Sequence, residues 1–255
     1  MMIKRTITSA IMAIVVAMAM VSCMSVNMGM GDKDETPTQV PELNKLTTMH
    51  AFEEVEIGGP FKVLYEQGEA YSVRIEGPEE ALKEMTVYVK EGDLCIRKAV
   101  NHASELLKNV KVYVTSPVIK SIEIAGSGLF TASDPLTAAD LQTEIAGSGK
   151  IMLVQVDCSN ASMEISGSGG IEIGQLQCAT AKAEIAGSGD INLSAMKCKM
   201  FKIEVAGSGN VNCESIDVDE VDTEIAGSGD VNLKGTVRFH TDDIAGSGKV
   251  NINRE

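Results

Sequence analysis

Lys182-Ala183-Glu184-Ile185-Ala186-Gly187-Ser188-Gly189-Asp190-Ile191-Asn192-Leu193 is the stretch that decides the fold. Its odd positions carry Ala, Ile, Gly, Gly, Ile and Leu, and its even positions carry Lys, Glu, Ala, Ser, Asp and Asn. Alternation with a period of two residues means a strand with one face on a core, here the odd face. The same word recurs along the chain, with its first glycine at Gly126, Gly147, Gly167, Gly187, Gly207, Gly227 and Gly246, in steps of 21, 20, 20, 20, 20 and 19 residues. A fixed period of this size marks a solenoid, in which each unit buries its apolar face by stacking on its neighbours.

Aligning the copies stacks like on like. Ile145, Ile165, Ile185, Val205, Ile225 and Ile244 form one inward column. A second holds Ile151, Ile171, Ile191, Val211, Val231 and Val250, and a third Val156, Leu176, Met196 and Ile216. Matching residues at one coil length are what a parallel β-solenoid requires, because successive coils lie about 4.8 Å apart. The expected fold is therefore all-β: a parallel β-helix or β-solenoid of coils about 20 residues long, preceded by a β-rich N-terminal capping section. Seven coils would span about 30 Å. An antiparallel meander repeating one turn would show the same alternation. The inward glycines of each Gly-Ser-Gly suit a bend or a narrowing of the tube.

Upstream of the repeats the chain changes character twice. Residues 1–23 carry Lys4 and Arg5, an apolar run from Ala10 to Val21, and Cys23 after Ser22, the layout of an export signal. Cys23 resembles the lipidated first residue of a mature bacterial lipoprotein, which predicts a membrane partner through a lipid anchor. Residues 24–45, with Gly29, Gly31, Pro37 and Pro41 among polar side chains, read as a flexible tether. Residues 46–120 alternate as strands around Val55-Ile57, Val63-Tyr65, Val73-Ile75, Val87-Val89, Leu94-Ile96 and Val112-Val114. Gly58-Gly59-Pro60 and Gly77-Pro78 punctuate them, Glu91-Gly92-Asp93 reads as a hairpin link, and Pro78-Glu79-Glu80 as the start of a short helix. This section is expected to cap residues 121–255, the seven-repeat solenoid, with 46–255 as one continuous domain.

Phe52-Glu-Glu-Val55-Glu-Ile57-Gly-Gly-Pro-Phe61-Lys-Val63, then Gly92-Asp-Leu94-Cys-Ile96, then Val112-Tyr-Val114-Thr-Ser-Pro117, then the repeated Ile-Ala-Gly-Ser-Gly-Asp resemble the head GIN domain family of auto-transporter adhesins. That family is common in exported proteins and lipoproteins of Bacteroidetes. The resemblance covers about residues 52–255 and implies an extracytoplasmic β-helical domain; with Cys23 as a lipid anchor, the expected location is the cell envelope, as an outer-membrane lipoprotein facing the periplasm or the cell surface. It brings no catalytic residue to carry over.

Composition agrees. The net charge is -14, and loss of Lys4 and Arg5 with the leader makes it more acidic still. Nucleic acid is therefore not an expected partner, since phosphate binding needs a basic face. Enzymatic motifs fail. Gly147-Ser-Gly-Lys150 and Gly246-Ser-Gly-Lys249 are followed by Ile151 and Val250 where a phosphate loop needs Ser or Thr. His50, His102 and His240 are scattered. A polysaccharide-degrading β-helix enzyme would need acids clustered with Lys or Arg, and Arg74, Arg97, Arg238 and Arg254 form no such cluster. No cofactor is expected. Cys158, Cys178 and Cys198 recur at 20 residues on the inward face, in a column continued by Val218, which favours small core residues over a disulfide or metal ladder.

One column is chemically loaded. Glu123, Glu144, Glu164, Glu184, Glu204, Glu224 and Asp243 occupy the same repeat position and are expected to line up facing solvent. At about 5 Å, neighbouring carboxylates repel by roughly 0.8 kcal/mol in bulk water and several times that near a protein surface. Splaying into water or pairing with Lys182 and Lys202 would relieve this. The alternative is recruitment of calcium or of a basic protein or polymer surface. The expected function is a non-enzymatic envelope lipoprotein presenting a repetitive acidic surface for binding or assembly. A structural or stress-related periplasmic protein is the alternative.

Overall fold

The computed structural model describes residues 44–99 and 105–254. The export signal, Cys23 and the tether as far as residue 43 lie outside the described residues. From Asp140 onward each coil consists of two strands and two corners. The strand before Gly-Ser-Gly, such as Asn160–Gly167 or Thr180–Gly187, pairs in parallel with its equivalents in the coils on either side. The strand after it, such as Lys150–Asp157 or Gly170–Gln177, does the same on the opposite side. In later coils the second strand of one coil runs into the first of the next without a break, giving Asp190–Gly207, Asn210–Gly227 and Asp230–Gly246. The pairing is parallel and in register, which excludes the meander.

The core lies between the two sides and is built from the columns expected of the repeat. Ile145, Ile185, Ile151, Ile171 and Ile191 are fully buried, as is Val156. Each such side chain contributes on the order of 1.5–3 kcal/mol through burial. Ile244 keeps its register with Ile225 but is 37% exposed, because no further coil covers it among the described residues.

The glycines of the corner are required by close approach of backbone to backbone. Gly187 has a φ of +138°, and a Cβ placed there would sit 2.3 Å from the carbonyl oxygen of Gly167 one coil back. That oxygen accepts the backbone hydrogen bond of Ser188 at 2.8 Å, so it cannot move aside. At Gly189 a Cβ would lie 2.6 Å from Cγ2 of Ile165. The missing side chain thus makes room for the isoleucine of the preceding coil. Gly187→Ala is expected to lower the melting temperature of the domain by several degrees, whereas Ser188→Ala at the exposed tip of the same corner should leave it nearly unchanged. Equal thermal shifts would show that the corner tolerates a Cβ.

On the outer surface of the strands after the corner, amides form a second ladder. Asn212, Asn232 and Asn251 each donate from Nδ2 to Oδ1 of the asparagine one coil back, at 2.9, 2.9 and 2.8 Å. Because every donor meets an acceptor, these outward polar residues help to fix the coil register.

The parallel stack also extends upstream of residue 121. Strand Glu54–Gly58 pairs in parallel with Ser121–Gly126, and Lys62–Gln67 with Leu129–Ala132. Ile57 lies beside Ile124 and Lys62 beside Leu129, so Gly58-Gly59-Pro60-Phe61 stands in the place of the Ala-Gly-Ser-Gly corner. Beyond this coil lies another, from Asp93–Lys98 and Lys111–Ser116, also parallel. Antiparallel strands then close that end. Met85–Lys90 forms the expected hairpin with Asp93–Lys98, Ser72–Glu76 pairs with Lys111–Ser116, and Thr47–Thr48 pairs with Ser72–Glu76. The short helix after Pro78 is a 3-10 turn, Glu79–Glu84.

The acidic ladder as candidate functional site

In-register pairing brings the seven acids together. Glu123 lies beside Glu144, Glu144 beside Glu164, and so on through Glu184, Glu204 and Glu224 to Asp243. The upstream coil adds an eighth, since Glu56 pairs with Glu123. Sequence reasoning missed it because Glu56 precedes Gly58-Gly59-Pro60 rather than Gly-Ser-Gly.

The ladder is not uniform, and not all of it faces solvent. Glu224 and Asp243 are exposed, Glu56, Glu123, Glu164, Glu184 and Glu204 are half-buried, and Glu144 is only 2% exposed. Neither carboxylate oxygen of Glu144 has a hydrogen-bond partner among the described residues. An ionised carboxylate is costly in such a place, so the proton is retained to higher pH. Burial, with the charge of Glu164, raises the pKa of Glu144. Glu123 is pushed up to about 7 by burial and by its acidic neighbours Glu144, Glu56, Glu54 and Asp93.

Further along, cations do the work instead. Lys182 and Lys202 sit two residues before Glu184 and Glu204 and pair with them, Lys182 at 2.7 Å. Burial raises the Glu184 carboxyl, and a hydrogen bond to Glu204 helps to keep its proton in place. Burial would raise Glu204 as well, but Lys202 and the hydrogen bond from Glu184 outweigh it and bring it down. Glu56 pairs with Arg97, which reaches it from the neighbouring coil. Ser162 donates to Glu164 at 3.1 Å. Repulsion along the line is therefore eased by the raised proton affinity of Glu123 and Glu144, by lysine at Glu184 and Glu204, and by solvent at Glu224 and Asp243.

Among the described residues no three His, Cys, Asp or Glu side chains converge as a group that could hold a metal ion. The carboxylates form a row with one member per coil. Such a row suits an extended cationic partner better than a single chelated ion.

The family model described as "Putative auto-transporter adhesin, head GIN domain" matches residues 51–214 and 194–254. The chain belongs to this family. Solved structures with the same fold include a putative adhesin from Bacteroides fragilis, at 19% identity over 82% of this chain and 95% of that one, with a TM-score of 0.71. A putative adhesin from Parabacteroides merdae is 20% identical over 82% and 94%, with a TM-score of 0.69. A putative lipid binding protein from Parabacteroides distasonis is 21% identical over 82% and 95%, with a TM-score of 0.64. At these identities the likeness concerns the fold. Among curated proteins none matches the chain. The head GIN domain family suggests an extracellular or cell-envelope protein. No helix among the described residues is long and apolar enough to cross a membrane.

Proposed function

We propose that this head GIN domain chain is a non-enzymatic module of the cell envelope, anchored through a lipid on Cys23, that presents its acidic ladder to a cationic protein or polymer surface. The observation that carries the reading is the in-register line of acids from Glu56 to Asp243, one per coil along a single face. A rigid array at about 4.8 Å spacing holds its charges at fixed positions, so a linear partner with repeating cations meets many of them without ordering the protein further. The layout of residues 1–23 supports the anchor.

The test of the binding reading uses polylysine as the probe. Glu164→Gln, Glu224→Gln and Asp243→Asn together remove ladder members outside the lysine pairs. They are expected to weaken salt-sensitive adsorption to polylysine severalfold more than Glu66→Gln, Glu214→Gln and Glu220→Gln, which remove as many exposed charges elsewhere. Equal losses would mean that only net charge matters and would overturn the ladder as a binding face. Millimolar calcium is a second arm. A rise in melting temperature that the ladder variant loses would identify the partner as an ion instead. For the anchor, Cys23→Ala is expected to move the protein from the membrane to the soluble fraction, and unchanged partition would overturn lipidation. Digestion by protease on intact cells would mark the surface-facing arrangement.

A further inference from the structure

The corner opposite Gly-Ser-Gly carries a second row of chemistry-bearing side chains. Cys158, Cys178 and Cys198 follow one another in successive coils, and all three are free thiols. Their alignment follows from the register, in which Asp157 lies beside Gln177 and Gln177 beside Lys197. Backbone hydrogen bonds from Cys158 to Gln177 and from Cys178 to Lys197, both 3.0 Å, tie the coils together at this level. The column continues as Val218, fully buried beside Cys198. Cys198 is likewise buried, but Cys158 and Cys178 are half-exposed.

The thiols stand one above another at successive levels, and Cys198 donates to the carbonyl of Met200 at 3.4 Å. The paired register ends at Asp157, Gln177 and Lys197, one residue before the cysteines, so the three stack at about the strand spacing of 4.8 Å, longer than the 3.5–4.5 Å between the Cβ atoms of a disulfide. Two metal–thiolate bonds of about 2.3 Å, the length at zinc, span about 4.6 Å end to end, and the shorter bonds of a two-coordinate ion draw the sulfurs slightly closer than the coil spacing. Soft sulfur ligands in a low-coordinate arrangement select a soft cation, and three sulfurs in a row cannot close a tetrahedral site.

We propose that Cys178, together with Cys158 or Cys198, holds a two-coordinate thiophilic monovalent cation of the Cu(I) class between adjacent coils. Binding replaces two S–H protons, which pass to water, and leaves a bis-thiolate complex with one net negative charge and no change in oxidation state. The neighbouring thiol of Cys178 and then burial raise the Cys158 thiol. Its neighbours Cys158 and Cys198 act on the Cys178 thiol in opposite directions, and with burial it is raised to about 12. Both thiols therefore resist oxidation as free groups, and uptake of the cation should strengthen as pH rises.

The central position makes the proposal falsifiable. Cys158 and Cys198 are two coils apart, about 9.6 Å, too far for one ion to bridge. Reduced full-length protein is titrated anaerobically against Cu(I) held by a chromogenic chelator, alongside Cys158→Val, Cys178→Val and Cys198→Val. Valine already occupies this column at Val218, so the variants keep a residue the coil accepts, and circular dichroism checks their fold. Cys23, Cys95 and Cys213 are present in every sample and supply the common background. The wild type and both end variants are expected to take up one Cu(I) that Cys178→Val does not, with at least a tenfold loss in competition at the central position. Equal uptake by all four proteins, loss in an end variant as well, or no uptake would overturn the two-coordinate site. A non-reduced chain lighter by two hydrogens, with Cys178 in a disulfide, would overturn it in favour of a redox pair.

Discussion

Ile185→Asp is expected to remove most or all of the cooperative thermal transition of the domain, whereas Asn192→Asp should shift it by no more than a degree or two. Ile185 is fully buried between Ile165 and Val205, in a stack that offers no partner to a carboxylate. Burying a charge there costs several kcal/mol, and a protonated carboxyl still loses hydrogen bonds and packing. That is a large part of a typical domain's stability of 5–15 kcal/mol. Asn192 is at the surface, and its Oδ1 accepts from Asn212 at 2.9 Å. Aspartate keeps that acceptor, so the change stays within the roughly 0.5 kcal/mol usual for surface positions. Melting curves of the two variants decide the point, and equal losses would mean that the inward and outward faces have been exchanged.

The second large effect is a dependence of stability on pH. Glu123 has its pKa raised from 4.5 to about 7 in the folded chain. A carboxyl that binds its proton more tightly when folded stabilises the fold fully below its unfolded pKa, near 4.5. That contribution is lost as pH rises through about 7. The full linkage value would be about 3 kcal/mol, but partial exposure screens it, and about 1–2 kcal/mol is the expected share. Glu123→Gln should therefore match the wild type near pH 5 and exceed it by about 3–6 °C at pH 8. Glu144→Gln should act in the same direction, since burial raises that carboxyl too. Wild-type and variant profiles running parallel from pH 5 to 8 would show that both groups ionise freely.

The contrast between Glu144 and Glu184 shows how far a sequence reaches into such a site. Lys182 two residues before Glu184 is visible in the sequence, and strand geometry alone puts the two side chains on one face. The half-buried ladder and the unpartnered carboxylate of Glu144 are not visible, because every copy of the repeat gives its acid the same local neighbours. Likewise Arg97 cannot be assigned to Glu56 from the order of residues, since about 40 positions separate them and no period links them.

The repeat word by itself determined which residues face the core and which recur one coil apart, and the parallel pairing in the structure turned those columns into a stacked core and a line of acids. In an in-register parallel solenoid the sequence period is the coil, and residues one period apart must touch. Only the tertiary structure decided where the stack begins. Residues 72–116 run to the far end, make antiparallel strands and a further parallel coil there, and return, leaving Glu54–Gly58 between Asp93–Lys98 and Ser121–Gly126. The order of coils in space thus departs from the order in the chain at that end. Packing against non-sequential neighbours sets which acids are buried, which keep their protons and which find a cation, and the spacing of the repeat carries no record of those contacts.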